Sequence, residues 1–379
     1  MLLGIVSFLN DMSSEIITPI LPLFIASLGG AGIAVGLIGG IRESITSLLK
    51  VVSGYISDKT GKRKALVFSG YLSSSFFKLL LALSKTWRHV LVFIGLERIG
   101  KGLRDAPRDA IIAESMPTEK GRAFGFHRAL DTSGAILGSI LAFIFLSVMG
   151  LGFRTIILIS AAIALTSLIP IILVKEKRAE KKDISFRVTL FGLPNQLKTF
   201  LIISALFAMA NFSYMFFILR AQNLFGASYS KGVPILLYIL FNCFYAGLSV
   251  PFGRLSDKIG RKKVLLYGYY LFTVTALGFA LFNSMPAYIL LFAMYGAVNA
   301  IIDANERAFV SDLSKNHAKG TSLGAYHTIK GLIALPASAI AGILWQFAPE
   351  ATFFYGATVS TAAAIAFLVS RKRFTRYSA

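Results

Sequence analysis

The sequence predicts an all-α integral membrane protein of twelve transmembrane helices, built as two pseudo-symmetric six-helix bundles. Three observations carry this. The chain is 55% hydrophobic and only 15% charged, with a mean hydropathy of +0.70, whereas a soluble domain carries about a quarter charged residues. Apolar stretches of the roughly 20 residues that cross a bilayer recur along all 379 positions. One loop phrase occurs twice. Gly54-Tyr-Ile-Ser-Asp58-Lys-Thr-Gly61-Lys-Arg63-Lys64 returns as Gly253-Arg-Leu-Ser-Asp257-Lys-Ile-Gly260-Arg261-Lys-Lys263, an offset of 199 residues. Duplicated bundles facing each other across a pseudo-twofold axis build sites that open to either side of a membrane.

The spans are expected near residues 2–27, 33–56, 65–84, 90–113, 121–148, 154–174, 199–223, 232–254, 264–283, 286–311, 320–346 and 351–370. Span 1 carries Asp11 and Glu15 and lacks a basic n-region and a cleavage site, so it is a first span and not a signal peptide. The chain starts almost inside that helix, and a short preceding tail is expected to be missing. Residues 1–174 form an N-terminal bundle, 175–198 a basic cytoplasmic linker, and 199–379 a C-terminal bundle. The same offset of 199 carries Arg108 onto Arg307, Gly121 onto Gly320, Gly125 onto Gly324 and Asp131 onto Lys330. Corresponding helices therefore have equal lengths. Little remains outside the spans, which leaves no room for a soluble catalytic domain.

The net charge of +21 raises the question of nucleic acid, but its placement answers it. Lys59, Lys62, Arg63 and Lys64, Lys120 and Arg122, the bases of 175–198, Lys258 to Lys263, Lys315, Lys319 and the C-terminal Arg371 to Arg376 all fall on one side. The opposite connections hold only Lys85, Arg88, Arg154 and Lys231. Short basic loops stay in the cytoplasm. Both termini and both repeat loops are therefore expected there, in the plasma membrane, with the charge serving topology and contact with anionic lipid. Neither nucleic acid nor a cofactor is expected, and the chain is expected to be a monomer. Cys243 stands alone, which excludes an intrachain disulfide and a Cys-rich metal site.

An ionisable side chain near the bilayer centre is costly and points to function. Spans 9 and 12 carry none, span 6 only Arg154 at its edge, and span 3 only Lys78; these four are expected to face lipid. In span 1, Asp11 and Glu15 are four apart and share a face. They can hold a proton or a cation, or pair with Arg42, Lys101 or Arg128. In span 2, the adjacent Arg42 and Glu43 point to different faces and need different partners. Span 4 places Glu97, Lys101, Arg104 and Arg108 on one stripe, either lining water or forming a structural ion-pair ladder. Pro107 is expected to kink or end that helix. Span 5 carries His127, Arg128 and Asp131. Asp131 and its repeat partner Lys330 either meet across the two halves or pair separately within each. Span 10 puts Asn299, Asp303 and Glu306 on one stripe beside Arg307. Spans 7 and 8 offer Asn211, Asn242 and Arg220. The aromatics Phe207, Phe212, Phe216, Phe217, Phe241 and Phe244 form either a cavity wall or plain packing.

Gly-x-x-x-Asp-x-x-Gly-[Arg/Lys]-[Arg/Lys] after span 2, repeated after span 8, resembles the signature loop of the major facilitator superfamily. The match covers the whole chain. Arg98-Ile-Gly100-Lys-Gly102 is similar to that superfamily's second motif. The run through Arg104-Asp105-Ala-Pro107-Arg108-Asp109-Ala resembles a prokaryotic permease subgroup with Thr where Asp105 stands. The resemblance implies the major facilitator fold, with the first helix of each triplet lining the cavity and the third outside. In span 5, Gly134-Ala-Ile-Leu-Gly138-Ser139 keeps the small-residue spacing of drug/proton antiporters but lacks their Pro.

These features lead to a secondary active transporter that moves a small solute by alternating access, proton-coupled and an exporter. The alternatives are a divalent-metal transporter using Asp11, Glu15, His127 and Asp131, or a uniporter of an organic solute. A membrane enzyme finds no nucleophile–base pair or phosphate loop, and a receptor has no need of two gates. The expected cavity residues are Asp11, Glu15, Arg42, Glu43, Glu97, Lys101, Arg104, Arg128, Asp131, Asn299, Asp303 and Lys330. The expected cytoplasmic gate is Gly54, Asp58, Gly61, Arg63, Arg98 and Arg108 with Gly253, Asp257, Gly260 and Arg261. There the two Asp would pair with basic residues and with a helix N-terminus of the opposite half, closing the gate in the outward-facing state, and Gly54 and Gly253 would let helices approach closely.

Overall fold

The computed structural model describes residues 1–116, 120–174, 193–224, 232–314, 319–370 and 374, and these are helical with no strand among them. Most of the expected basic linker lies outside the described residues. Span 2 is Gly32–Thr60, span 3 Arg63–Ala82, span 4 Trp87–Ser115 and span 5 Lys120–Phe143, the last ending in a π segment, Ile144–Val148. Span 6 is Phe153–Thr166 continued by Leu168–Ile172. Spans 8 to 12 are Gly232–Ile259, Arg261–Leu281, Met285–Asp312, Lys319–Phe347 and Pro349–Val369.

Spans 1 and 7, expected to be continuous, are each broken. Span 1 is Leu2–Ile17 and then Leu21–Ser27. Pro19 has no N–H to give the helix ladder, and the Thr18 hydroxyl turns back to the Ser14 carbonyl at 2.9 Å. Span 7 is Asn195–Ala210 and then Met215–Leu224. Irregular backbone at membrane depth survives only where it lines a cavity or is buried in protein, so both breaks point to the site. Span 4 differs from expectation in the other direction. Pro107 sits inside a helix that continues to Ser115. Among the described residues, ten helical segments are long and apolar enough to cross a membrane. The broken span 1 and the charge-dense span 4 complete the twelve.

Both repeat loops turn in the same way. Gly61 and Gly260 have φ of +68° and +94°, a region that glycine enters without steric cost. Each N–H bonds back to a serine carbonyl, Ser57 at 2.9 Å and Ser256 at 3.0 Å. Arg63 then bridges Asp58 (3.4 Å) and Glu114 at the end of span 4. Arg261 likewise bridges Asp257 (3.3 Å) and Asp312 at the end of span 10 (3.1 Å). In this structure, in which the loop ends of the halves are apart, each loop is tied to its own half.

Within the first half, span 1 packs on spans 5 and 6, and span 4 on spans 2 and 3. Gly134 and Gly138 let span 5 lie against the span 1 backbone at Phe8 and Met12. Span 8 packs on span 10 and span 9 on span 12 in the second half. Between the halves, span 2 meets span 11 and span 5 meets span 8. The span 2–11 contact runs from Gly32 against Gly342 and Trp345, through Gly36 against Ser338, to Ser47 against Gly331. It seals the end of the bundle remote from the repeat loops. Gly232 of span 8 approaches Ser147 at that same end.

Toward the repeat loops the halves part. A Cβ built on Gly125, Gly253, Gly320 or Gly324 meets nothing within 4 Å, and one on Gly54 meets only Ala106, at 3.4 Å. The close approach expected at Gly253 is therefore absent here. The outer faces of spans 3, 6, 9 and 12 expose apolar side chains such as Phe76, Leu158, Tyr270 and Ile365. Span 3 does not simply face lipid, however. Lys78 is 2% exposed and donates to the Ser13 and Ser14 hydroxyls at 2.9 and 3.0 Å.

Candidate functional site

A cavity of about 610 Å³ lies between the halves, walled by spans 1, 2, 4 and 5 on one side and 7, 8, 10 and 11 on the other. Its volume falls in the range of small-molecule sites. The broken helices meet at its head. Tyr214, in the break of span 7, donates its hydroxyl to the Thr18 carbonyl that the break of span 1 leaves free, at 3.2 Å. Arg42 of span 2 donates to the Tyr214 hydroxyl at 3.0 Å and to the Thr18 hydroxyl at 2.8 Å, and its guanidinium lies 5.5 Å from the Tyr214 ring centre. Glu15 accepts from the Tyr238 hydroxyl of span 8 at 3.0 Å. These contacts join the two halves through tyrosine.

Of the expected cavity residues, Glu15, Arg42, Glu43, Lys101, Arg128, Asn299, Asp303 and Lys330 line it. Asp303 accepts from Tyr245 at 2.6 Å, and Asn299 donates to the Tyr295 carbonyl at 2.9 Å. Lys330 reaches Glu306 at 2.9 Å. Glu306 is fully buried and accepts from four side chains, including Ser204 (3.0 Å), Tyr269 (2.8 Å) and Tyr326 (2.7 Å). Asp131 instead meets Arg128 at 3.0 Å. The alternative of separate pairing within each half therefore describes Asp131 and Lys330 in this structure.

Four expected cavity residues lie elsewhere. Asp11 and Asp131 lie near each other where span 1 packs on span 5, with Asn10 donating to Asp11 at 3.5 Å and Arg128 donating to Asp131 at 3.0 Å. Glu97 is 3% exposed, accepts from Ser74 at 2.7 Å and contacts Arg98 at 2.9 Å. Arg104 is 1% exposed, with its guanidinium 4.1 Å from the Tyr71 ring centre. The span 4 stripe is thus divided: only Lys101 faces the cavity, and Glu97 and Arg104 face span 3. Arg98 and Arg108, expected at the gate, are also displaced from it. Arg98 lines the central cavity. Arg108 pairs with Asp109 at 3.0 Å and Asp105 at 3.8 Å.

His127 contacts the Ser7 hydroxyl at 2.8 Å, within the first half. No group of three or more His, Cys, Asp and Glu converges on a metal-sized site among the described residues. Phe207, Phe216 and Phe217 are buried in the second half's core, and Phe244 is exposed; only Phe212 and Phe241 reach the cavity. The residues that sequence reasoning missed are the tyrosines Tyr214, Tyr238, Tyr245, Tyr295 and Tyr326. Tyr238 and Tyr245, seven apart on one face of span 8, were the available signal.

The sequence was compared with known proteins. A relative from Methanocaldococcus jannaschii, an uncharacterized transporter of major facilitator type, is 53% identical over 363 residues, covering 95% of this chain and 91% of that protein. Multidrug resistance protein MdtH of Aeromonas hydrophila is 24% identical over 338 residues, covering 85% of this chain and 81% of its own. Among solved structures, the nucleoside transporter NupG superposes with a TM-score of 0.85 at 16% identity, covering 97% of this chain and 98% of that one. A bacterial homologue of the lysosomal transporter Spinster gives 0.75 at 15% identity, over 100% and 97%. These likenesses show the fold. The family model of the Major Facilitator Superfamily matches residues 3–244 and again 200–378, two overlapping matches that together span the chain, and the chain belongs to the major facilitator superfamily of membrane transporters.

Proposed function

We propose that the chain is a proton-coupled secondary transporter that exports a small solute across the plasma membrane by alternating access. One observation carries this reading: a cavity between the halves, sealed at one end by spans 2 and 11 and open toward the repeat loops. With basic loops held in the cytoplasm, both termini are cytoplasmic and the open end faces inward. The solute enters there and binds among Glu15, Arg42, Lys101, Asp303 and Lys330. Rocking of one half against the other then closes the inner end and parts spans 2 and 11. The named role of MdtH, multidrug resistance, supports export.

The gate in this reading comprises the two repeat loops. Gly54, Asp58, Gly61 and Arg63, with Gly253, Asp257, Gly260 and Arg261, hold the inner ends of spans 2 to 4 and 8 to 10 as rigid units that meet on closure. The coupling site is the Asp11–Asp131 pair. Two carboxylates held close together repel, which favours a proton on one of them. That proton is the coupled ion. No second chain is needed, since both halves come from one polypeptide.

The test is solute-dependent proton flux in proteoliposomes under an imposed pH gradient, with a pH dye inside. Wild type moves protons with its solute. Asp131→Asn is expected to abolish pH-driven flux while solute counterflow continues. Unchanged pH-driven flux in Asp131→Asn would remove the coupling site, and solute flux with no proton movement in wild type would make the chain a uniporter.

A further inference from the structure

The central cavity is unbalanced in charge. Six of its lining side chains are Lys or Arg and three are Asp or Glu. The three acids are engaged: Glu15 by Tyr238 at 3.0 Å, Asp303 by Tyr245 at 2.6 Å, and Glu43 with Arg42 at 4.0 Å. Two of the cations are also matched, Lys330 with Glu306 and Arg128 with Asp131. Arg42 donates to Tyr214 and Thr18, and the other three cations keep donors to spare. Lys101 makes no hydrogen bond or ion pair among the described residues. Among the described residues Arg307 donates only to the Asp303 carbonyl, at 2.9 Å. Arg98 lies with Nε 2.9 Å from Glu97 but makes no hydrogen bond among the described residues, and its side chain is only 6% exposed where it lines the cavity.

This excess is not the loop-borne charge that sets topology, because these residues lie inside spans. An enclosed guanidinium with donors unmade is costly, and a planar fork of donors matches carboxylate or phosphate oxygens two at a time. Arg98 does not stand alone. Arg42 lines the same cavity, and the two also share a small pocket behind it with Lys78 and Glu97. Opposite them the wall is aromatic. Phe241 lies between Tyr238 and Tyr295, with ring centres 5.6 and 4.9 Å away, and Tyr214 lies 5.6 Å from Tyr238. Such a wall receives a flat ring on its faces.

We infer that the solute is a small organic anion, a carboxylate or phosphate carried on a planar ring. Its anionic oxygens are received by Arg98 and Arg42, and its ring lies against Tyr214, Tyr238 and Tyr295. The inference rests on the transporter reading above and gives that site its substrate class.

Calorimetry on the purified full chain in detergent tests it, with benzoate and phenyl phosphate as probes. Methyl benzoate serves as the uncharged control and tetraphenylphosphonium as the cationic one. The anions are expected to bind at least about tenfold more tightly than the ester, the effect of losing one charge-assisted hydrogen bond, and more weakly as salt rises. Arg98→Gln is expected to lose at least about tenfold in anion affinity, and Arg98→Lys to recover part of it. Tighter binding of the ester or the cation overturns the inference, as does unchanged anion affinity in a folded Arg98→Gln. So does displacement of benzoate by micromolar anionic lysophospholipid with no transport of benzoate, which would make a lipid headgroup the source of the anion. Counterflow in proteoliposomes separates the two levels. Cation or neutral flux without anion flux leaves a transporter with another substrate class. Anion binding with no flux of any probe leaves the anion site and removes the transporter reading.

Discussion

The seal between spans 2 and 11 predicts how one added side chain shifts the molecule between states. Gly32, Gly36 and Gly40 recur every four residues on one face of span 2, the spacing that lets helix backbones touch in a membrane. A Cβ on Gly36 would press on the Ser338 carbonyl and lie 3.2 Å from the Gly342 Cα. These are backbone atoms of span 11, which cannot rotate away as a side-chain tip can. Overpacking of this kind costs about 1–3 kcal/mol. The cost falls only on the state in which spans 2 and 11 are joined, because opening the sealed end separates them. Gly36→Val is therefore expected to move the equilibrium toward the opposite-facing state by about 5–150-fold. The exposed Cys243 is first changed to Ser, and Ser338→Cys is introduced as a reporter. A membrane-impermeant maleimide, added on the side away from the repeat loops, is expected to label the reporter at least about fivefold faster when Gly36→Val is present. Unchanged labelling with unchanged thermal stability would show that the contact is loose. Lower stability with unchanged labelling would show that it holds the fold and does not select a state.

Two further outcomes follow from the ion pairs. Glu306→Ala removes the acceptor of Ser204, Tyr269, Tyr326 and Lys330 from a fully buried position. A loss of about 3 kcal/mol is expected, the low end for a broken buried pair, because Lys330 retains access to the cavity; thermal unfolding in detergent reads it, and a loss below about 1 kcal/mol would contradict the assigned network. Asp257→Asn breaks an exposed pair with Arg261 and is expected to change stability by no more than about 1 kcal/mol in the same assay.

The fold was legible because its signals are local and repeated. Apolar runs of membrane length mark the spans, and the duplicated loop marks the halves down to the two glycines that turn it. The breaks were legible in part. Pro19 was present in the sequence, but an apolar run reads as continuous whether or not one backbone bond is missing. The site was less legible, because residues on one helix face do not share neighbours along its length. Glu97, Lys101 and Arg104 have the right spacing for one stripe, yet span 3 covers the first and third while the second opens on the cavity. For Asp58 and Asp257 the sequence does not say which base each meets, because Arg63 and Arg261, a few residues away, compete with any base across the interface. The tyrosines escaped attention because the costly groups in a membrane are charges, and a hydroxyl on an apolar ring raises no such flag.

That choice of side chain bears on how the halves can move. The strongest polar contacts stay within a half: Lys78 with Ser13 and Ser14, Arg104 over Tyr71, Glu306 with Lys330 and Tyr326. Breaking any of them on each transport cycle would expose a buried ion and cost several kcal/mol. The contacts that cross the interface in the cavity are of another kind, Tyr238 to Glu15, Tyr214 to Thr18 and Arg42 to Tyr214. A hydroxyl that leaves its partner in a wet cavity finds water, so each such bond costs about 1–3 kcal/mol net, the larger values where the partner is charged. An arrangement with rigid ionic cores and tyrosine hinges keeps both states within a few kcal/mol of each other, the range in which a bound solute can decide between them.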